Sequence, residues 1–147
     1  METYQQIKAR HQADVDAFPL GACFSKQQLT EMMRKFGLPD DKTGYAQIVS
    51  LGAGCYIKKA DVPAWQELTQ RHEDEMREFR KDRKALTEAL RYEFANHEYQ
   101  FGNTPDSSVL APLGLTWEEV QNDADLMDTY QEAKSLFYED CRRNNWY

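Results

Sequence analysis

Asp61–Tyr99, DVPAWQELTQRHEDEMREFRKDRKALTEALRYEFANHEY, decides how the rest of the chain folds. It contains no glycine, and its one proline, Pro63, falls in the first turn, where no backbone N–H is needed. Asp61 has the chemistry of an N-cap, because its carboxylate can accept from the free N–H groups that follow. Trp65, Leu68, His72, Met76, Phe79, Leu86, Leu90, Phe94 and His97 recur in steps of three and four, broken only across Arg80–Lys84. That period is helical. It predicts one long central helix over about 62–97, or two helices joined near Lys81–Arg83.

Outward from this stretch, local signals place the other elements. Thr3 with Gln6 reads as a capping box opening a first helix over Glu2–Asp16, with Tyr4, Ile7, His11 and Val15 inside; Pro19 and Gly21 end it. Ser25 with Gln28 opens a second helix. Phe24 and Leu29 have the spacing of a hydrophobic staple, and Gly37 followed by Leu38-Pro39 stops it. Asp40–Gly44 reads as a turn. Ile48–Leu51 and Cys55–Ile57 flank Gly52-Ala53-Gly54 and predict one small β-hairpin over about 47–58. After a loop at Tyr99–Asp106, Ser107–Ala111 is a short helical piece. Thr116 with Glu119 opens another helix, and Ala124–Arg143 forms the last, with Arg142 and Arg143 where the helix dipole favours cations. The expected fold class is α+β, predominantly helical, one domain over residues 1–147.

Composition agrees with a packed domain. A chain of 147 residues, 41% apolar and 12% aromatic, buries roughly 68–70% of its unfolded surface and needs no metal or disulfide to hold it. No apolar run approaches the ~20 residues that span a bilayer. The polar N-terminus does not read as a signal peptide, so the expected location is cytoplasmic. Cys23, Cys55 and Cys141 are odd in number with no CxxC, and read as buried thiols. The net charge of -7 is uneven: residues 1–60 carry +2, residues 61–100 carry -3 and residues 101–147 carry -6. A C-terminal third of that sign repels nucleic acid and anionic lipid and attracts basic protein surfaces.

Chemical motifs are sparse. His72 opens no zinc-protease helix, because Met76 stands where a second histidine is required. Gly52-Ala53-Gly54 lacks the Lys-Ser/Thr and the strand-to-helix context of a phosphate loop. Glu93 and His97, four apart, can meet on one helix face beside Tyr92 and Tyr99. A carboxylate one turn before an imidazole can hold its tautomer for catalysis or metal binding; the plainer reading is a polar cluster at a helix end. No catalytic residue, metal ligand or cofactor is expected.

Four phrases in order, RHQADVDAFPLGACFS, SLGAGCYIKKAD, ANHEY and LGLTWEEV, resemble a family of short acidic proteins of unknown function encoded on plasmids and conjugative elements of gut bacteria. The likeness spans most of residues 1–122. It implies a mobile-element accessory protein, and by genomic context an inhibitor of host defence such as an anti-CRISPR protein. The expected function is non-enzymatic binding of a host protein with a basic surface, such as a Cas9-like nuclease, without direct contact to nucleic acid or membrane. The expected partner-binding residues are Glu118, Glu119, Asp123, Asp125 and Asp128, with the aromatics Trp146 and Tyr147, since aromatics beside charge are typical of interface hot spots. The plainer reading of the same carboxylates is a solvated surface. An alternative is a self-associating structural protein, monomer or homodimer, pairing through Trp65, Met76 and Phe79; a further one is a small enzyme or metal site around Glu93 and His97.

Overall fold

Most helices begin at a side chain able to accept from the first free N–H groups, and those side chains set the element order. The computed structural model describes residues 1–147. In chain order it contains α1 (Tyr4–Ala17), β1 (Gly21–Ala22), α2 (Lys26–Phe36), α3 (Lys42–Tyr45), β2 (Ile48–Gly52), β3 (Cys55–Lys58), α4 (Val62–Phe79), α5 (Arg83–Asn96), α6 (Asp106–Leu110), α7 (Trp117–Gln121) and α8 (Ala124–Asn144), with 3-10 turns at Lys59–Asp61, Tyr99–Phe101 and Ala111–Leu113. The architecture is predominantly helical α+β, as the sequence predicts.

The Thr3–Gln6 capping box closes in both directions, while Ser25 caps its helix and Gln28 Oε1 accepts from Phe24 N–H instead. Thr3 N–H donates to Gln6 Oε1 at 2.8 Å and Gln6 N–H to Thr3 Oγ1 at 3.2 Å. Ser25 Oγ accepts from Gln28 N–H at 3.1 Å. Gly37 adopts φ 69°, and Gly37 and Leu38 return their N–H groups to Arg34 and Met33 carbonyls, which closes α2. Of the two forms expected for the central stretch, the broken one is found; it is not one helix over 62–97. Asp82 caps α5 by accepting from Ala85 N–H at 3.0 Å, and the chain turns through Arg80–Asp82 between α4 and α5. A charged run with a capping aspartate gives the backbone a local end where the apolar spacing breaks.

The chain folds as two compact units. One holds Met1–Ile7 with His72–Tyr147. Its core is Met76, Phe79, Leu86, Leu90, Phe94, Val109, Leu110, Leu113, Leu115, Val120, Tyr130, Phe137 and Cys141, with Tyr4 and Ile7 added from α1. Met76 and Phe79, two of the three residues expected to pair with another copy, are buried in this core. The other unit holds Lys8–Arg71, with Met32, Met33 and Ile57 buried. There the Trp65 ring meets the Phe18 ring edge-on at 5.1 Å, and Arg71 Nη2 pairs with Asp14 at 3.2 Å.

The hairpin is present but belongs to a larger sheet. β2 and β3 pair antiparallel with Val49 opposite Ile57, and a bulge falls between Ser50 and Gly52. Ala53 (φ 51°) and Gly54 (φ 76°) form the two-residue loop, whose left-handed angles match the strand twist. β1 adds a third antiparallel strand, in the order β1-β3-β2. Two residues carry no periodicity, so the sequence reading sees only a loop there. Phe24, expected to staple α2, lies close to Gly54: a Cβ on that glycine would lie 2.3 Å from the ring, which stays 75% exposed. The expected turn at Asp40–Gly44 is tightened by α3, whose cap Asp41 accepts from Thr43 and Gly44 N–H.

Gly44 is required for a different reason from Gly37. A Cβ on Gly44 would stand 1.8 Å from the Pro39 carbonyl oxygen, whereas one on Gly37 meets nothing within 4 Å and is opposed only by its φ. Gly44→Ala is therefore expected to destabilise by about 2–4 kcal/mol and Gly37→Ala by about 1 kcal/mol. Thermal and denaturant unfolding of the two variants checks the order; equal losses would show that the backbone at Pro39 yields freely.

Candidate functional site

The acidic residues between positions 118 and 128 are arranged by two helix starts. Thr116 caps α7, accepting from Glu119 N–H at 3.1 Å and donating its hydroxyl to Glu119 Oε1 at 3.1 Å. Asp123 caps α8, accepting from Leu126 N–H at 3.0 Å. Glu118, Glu119 and Asp125 lie in first turns, where the positive end of the helix dipole favours carboxylates. Beneath them Val120, Thr129 and Tyr130 are buried, and the Trp117 ring stands edge-on to Tyr130 at 5.5 Å. The packed floor leaves the carboxylates at the surface, and Glu118, Glu119, Asp123, Asp125 and Asp128 are all exposed.

They are not equally free. Arg83 Nη2 approaches Asp128 at 3.3 Å and Glu132 at 2.8 Å. The hydrogen bond to Glu132, then that to Asp128, holds the guanidinium above its ordinary pKa. Glu119 lies near Arg80, whose Nη1 donates to the Leu113 carbonyl at 2.9 Å; burial lowers the Arg80 pKa and the Glu119 charge opposes that shift. Glu118 and Asp125 make no ion pair, so they are the most available of the five.

Trp146 and Tyr147 stand elsewhere. α8 has 21 residues, and at about 1.5 Å per residue it separates its acidic start from these aromatics by about 30 Å. Trp146 is 41% and Tyr147 66% exposed. The tail is held by Trp146 N–H donating to the Cys141 carbonyl at 3.0 Å and by Gln100 Nε2 donating to the Trp146 carbonyl at 2.9 Å. The structure thus gathers the five carboxylates and places the two aromatics at the far end of the same helix.

Glu93 and His97 do meet. Glu93 is fully buried; its Oε1 accepts from Tyr4 OH at 2.8 Å and its Oε2 lies 3.3 Å from His97 Nε2. Thr104 Oγ1 donates to the His97 carbonyl at 2.8 Å. Tyr4 and Tyr92 rings meet edge-on at 5.9 Å. The hydrogen bond between Tyr4 and Glu93 joins residues 89 positions apart, fastening the start of α1 to α5, and burial then hydrogen bonding to Glu93 push the Tyr4 hydroxyl pKa up. No group of three or more His, Cys, Asp or Glu side chains is placed to hold a metal ion.

Sequence reasoning missed a second polar cluster. Asp106 Oδ1 accepts from Tyr99 OH at 2.7 Å and from Tyr130 OH, with Lys134 Nζ at 3.5 Å. Lys134 lies over the Tyr99 and Tyr130 rings at 5.1 and 4.9 Å. Burial raises the Asp106 pKa, but the Tyr130 and Tyr99 hydroxyls and the Lys134 charge together carry it below the ordinary 3.8. Its only sequence signal was the i, i+4 step from Tyr130 to Lys134, which names no acidic partner. A carboxylate with a depressed pKa stabilises the fold above its unfolded pKa, and that contribution disappears as pH falls through the folded value.

Tyr4→Phe is expected to destabilise by about 1–3 kcal/mol by stranding a buried carboxylate oxygen, while Glu93→Gln, which still accepts from Tyr4, loses less. No loss in Tyr4→Phe by urea titration would show that the hydroxyl contributes nothing. Asp106→Asn is expected to flatten the loss of stability below about pH 4, measured as the unfolding midpoint against pH. An unchanged acid limb would remove Asp106 from that role.

No curated protein and no solved structure matches the chain. The family model that does match covers residues 3–135, a span that includes the five surface carboxylates, Glu93, His97 and the Asp106 cluster and stops before Trp146 and Tyr147. On that match over most of its length, the chain belongs to a family of unknown function, DUF7659.

Proposed function

We propose that this protein is a non-enzymatic accessory protein of a mobile genetic element. It binds a host protein in the cytoplasm through the acidic surface at the starts of α7 and α8. The form favoured by its sequence resemblance is an anti-CRISPR-type inhibitor that docks on the nucleic-acid channel of a Cas9-like nuclease. One observation carries the binding reading: five exposed carboxylates stand together in a stretch where no Lys or Arg occurs between Arg91 and Lys134. Such a surface steers toward cationic partners and turns nucleic acid away. Trp146 and Tyr147, about 30 Å off along α8, lie within reach of the opposite rim of one standard footprint of about 800 Å² per partner. The burial of Glu93 behind Tyr4 supports a structural role for the Glu93–His97 pair, and so the non-enzymatic reading.

Glu118 and Asp125 have no internal bond to lose, so reversing both with Glu118→Lys and Asp125→Lys tests the surface without dismantling the caps. With a purified Cas9-type nuclease, affinity is expected to fall at least roughly tenfold in the double variant and to weaken steeply as salt rises. No binding at low salt would overturn the nuclease as partner. Binding indifferent to both salt and the two reversals would overturn the acidic surface as the contact.

A further inference from the structure

Gly21 lets α2 lie unusually close to β1. A Cβ there would fall 2.5 Å from Met32 Cγ and Sδ and 2.8 Å from Phe36 Cζ. β1 is also an edge of its sheet. Gly21 pairs with Tyr56 and Ala22 with Cys55, and Cys23 N–H donates to the Gly54 carbonyl at 2.8 Å. In an antiparallel ladder, alternate residues turn their backbone groups to the same neighbour. Gly21 and Cys23 face β3, so Ala22 turns its N–H and C=O outward. Those two groups have no partner within the chain, and Ala22 is exposed.

A groove of about 420 Å³ runs along that edge. Its floor is Met32 and Phe36, Leu20 and the exposed Phe24 flank it, and Glu31 and Lys35 stand on the α2 side. No β3 residue lines it. We propose that this groove binds an extended peptide segment of a partner protein, which adds to β1 as a further antiparallel strand. The occupant follows from the groups on offer. An unpaired N–H and C=O on one strand residue are complemented by extended backbone, whereas a helix uses its own groups internally. The apolar floor takes one apolar side chain, with its neighbours in sequence pointing away. Glu31 and Lys35, of opposite charge and four residues apart, favour a segment without net charge. This site is independent of the acidic surface: its residues all lie in the Lys8–Arg71 unit.

The test uses the full chain, isotope-labelled, and a pool of blocked heptapeptides alternating threonine with valine, leucine or phenylalanine. The expected result is a saturable shift of the Leu20–Cys23 amides and of the Gln28–Phe36 face. Affinity should drop by roughly tenfold or more when the peptides are N-methylated at alternate amides, and in Ala22→Pro, which removes the outward N–H. If Ala22→Pro does not fold, the N-methylated comparison on the unaltered protein decides alone. No shift up to the solubility limit overturns the proposal, as does equal binding of N-methylated peptides. A dimer by sedimentation that Ala22→Pro converts to monomer overturns it in favour of a second copy on this edge.

Discussion

The larger unit depends on the packing of α5 against α8 around one ring. Phe94 is fully buried, with its centroid 4.8 Å from Tyr99, 5.4 Å from Tyr130 and 5.4 Å from Phe137. Leu90 and Ala89 continue that face on α5, and Ala133 and Cys141 continue it on α8. Burying each large side chain is worth about 1.5–3 kcal/mol, and an aromatic pair adds about 0.5–1.5 kcal/mol. The small residues let the helices approach closely. Along one margin Arg91 grips Asp140 through Nη2 at 2.8 Å and Nε at 3.1 Å. A two-pronged contact of this kind fixes the register of one helix on the other more sharply than apolar packing does.

Once α5 and α8 are set, the polar groups carried inward have to be satisfied, and each recruits a distant partner. Glu93 takes Tyr4, Asp106 takes Tyr99 and Tyr130, and Asp140 takes Arg91 and Arg143. A buried carboxylate without such partners would oppose folding strongly. These bonds therefore follow from the packing as its necessary complement, and they tie the N-terminal turn and α6 to the helical pair.

Internal partners also change what the acidic C-terminal third offers. Of its nine Asp and Glu residues, Asp106, Glu119, Asp123, Asp128, Glu132 and Asp140 have bonds within the chain. Glu118, Asp125 and Glu139 remain for an outside partner. Formal charge overstates what the surface offers, because caps and ion pairs already occupy most of the carboxylates. The long-range field of all nine still steers an approaching cation, but direct contact falls to few residues. The candidate surface was legible in the sequence as a run of acids. Its division into occupied and available carboxylates was not, since Arg83 lies 45 positions from Asp128.

By itself the sequence determined the parts built from neighbours. Thr3 with Gln6, Ser25 with Gln28 and Thr116 with Glu119 start helices, Gly37 ends one, and the two strands about Ala53-Gly54 form a hairpin, all through contacts spanning three to ten residues. Such contacts depend on the local backbone alone, so spacing reveals them. Only the tertiary structure decided that Gly21–Ala22 is a strand, that Tyr4 closes on Glu93, that Asp106 gathers two tyrosines and a lysine, and that Arg83 occupies Asp128 and Glu132. Each of these joins residues far apart in the chain. Their proximity is set by which apolar faces pack together, and a periodic pattern shows that a face exists without showing what covers it.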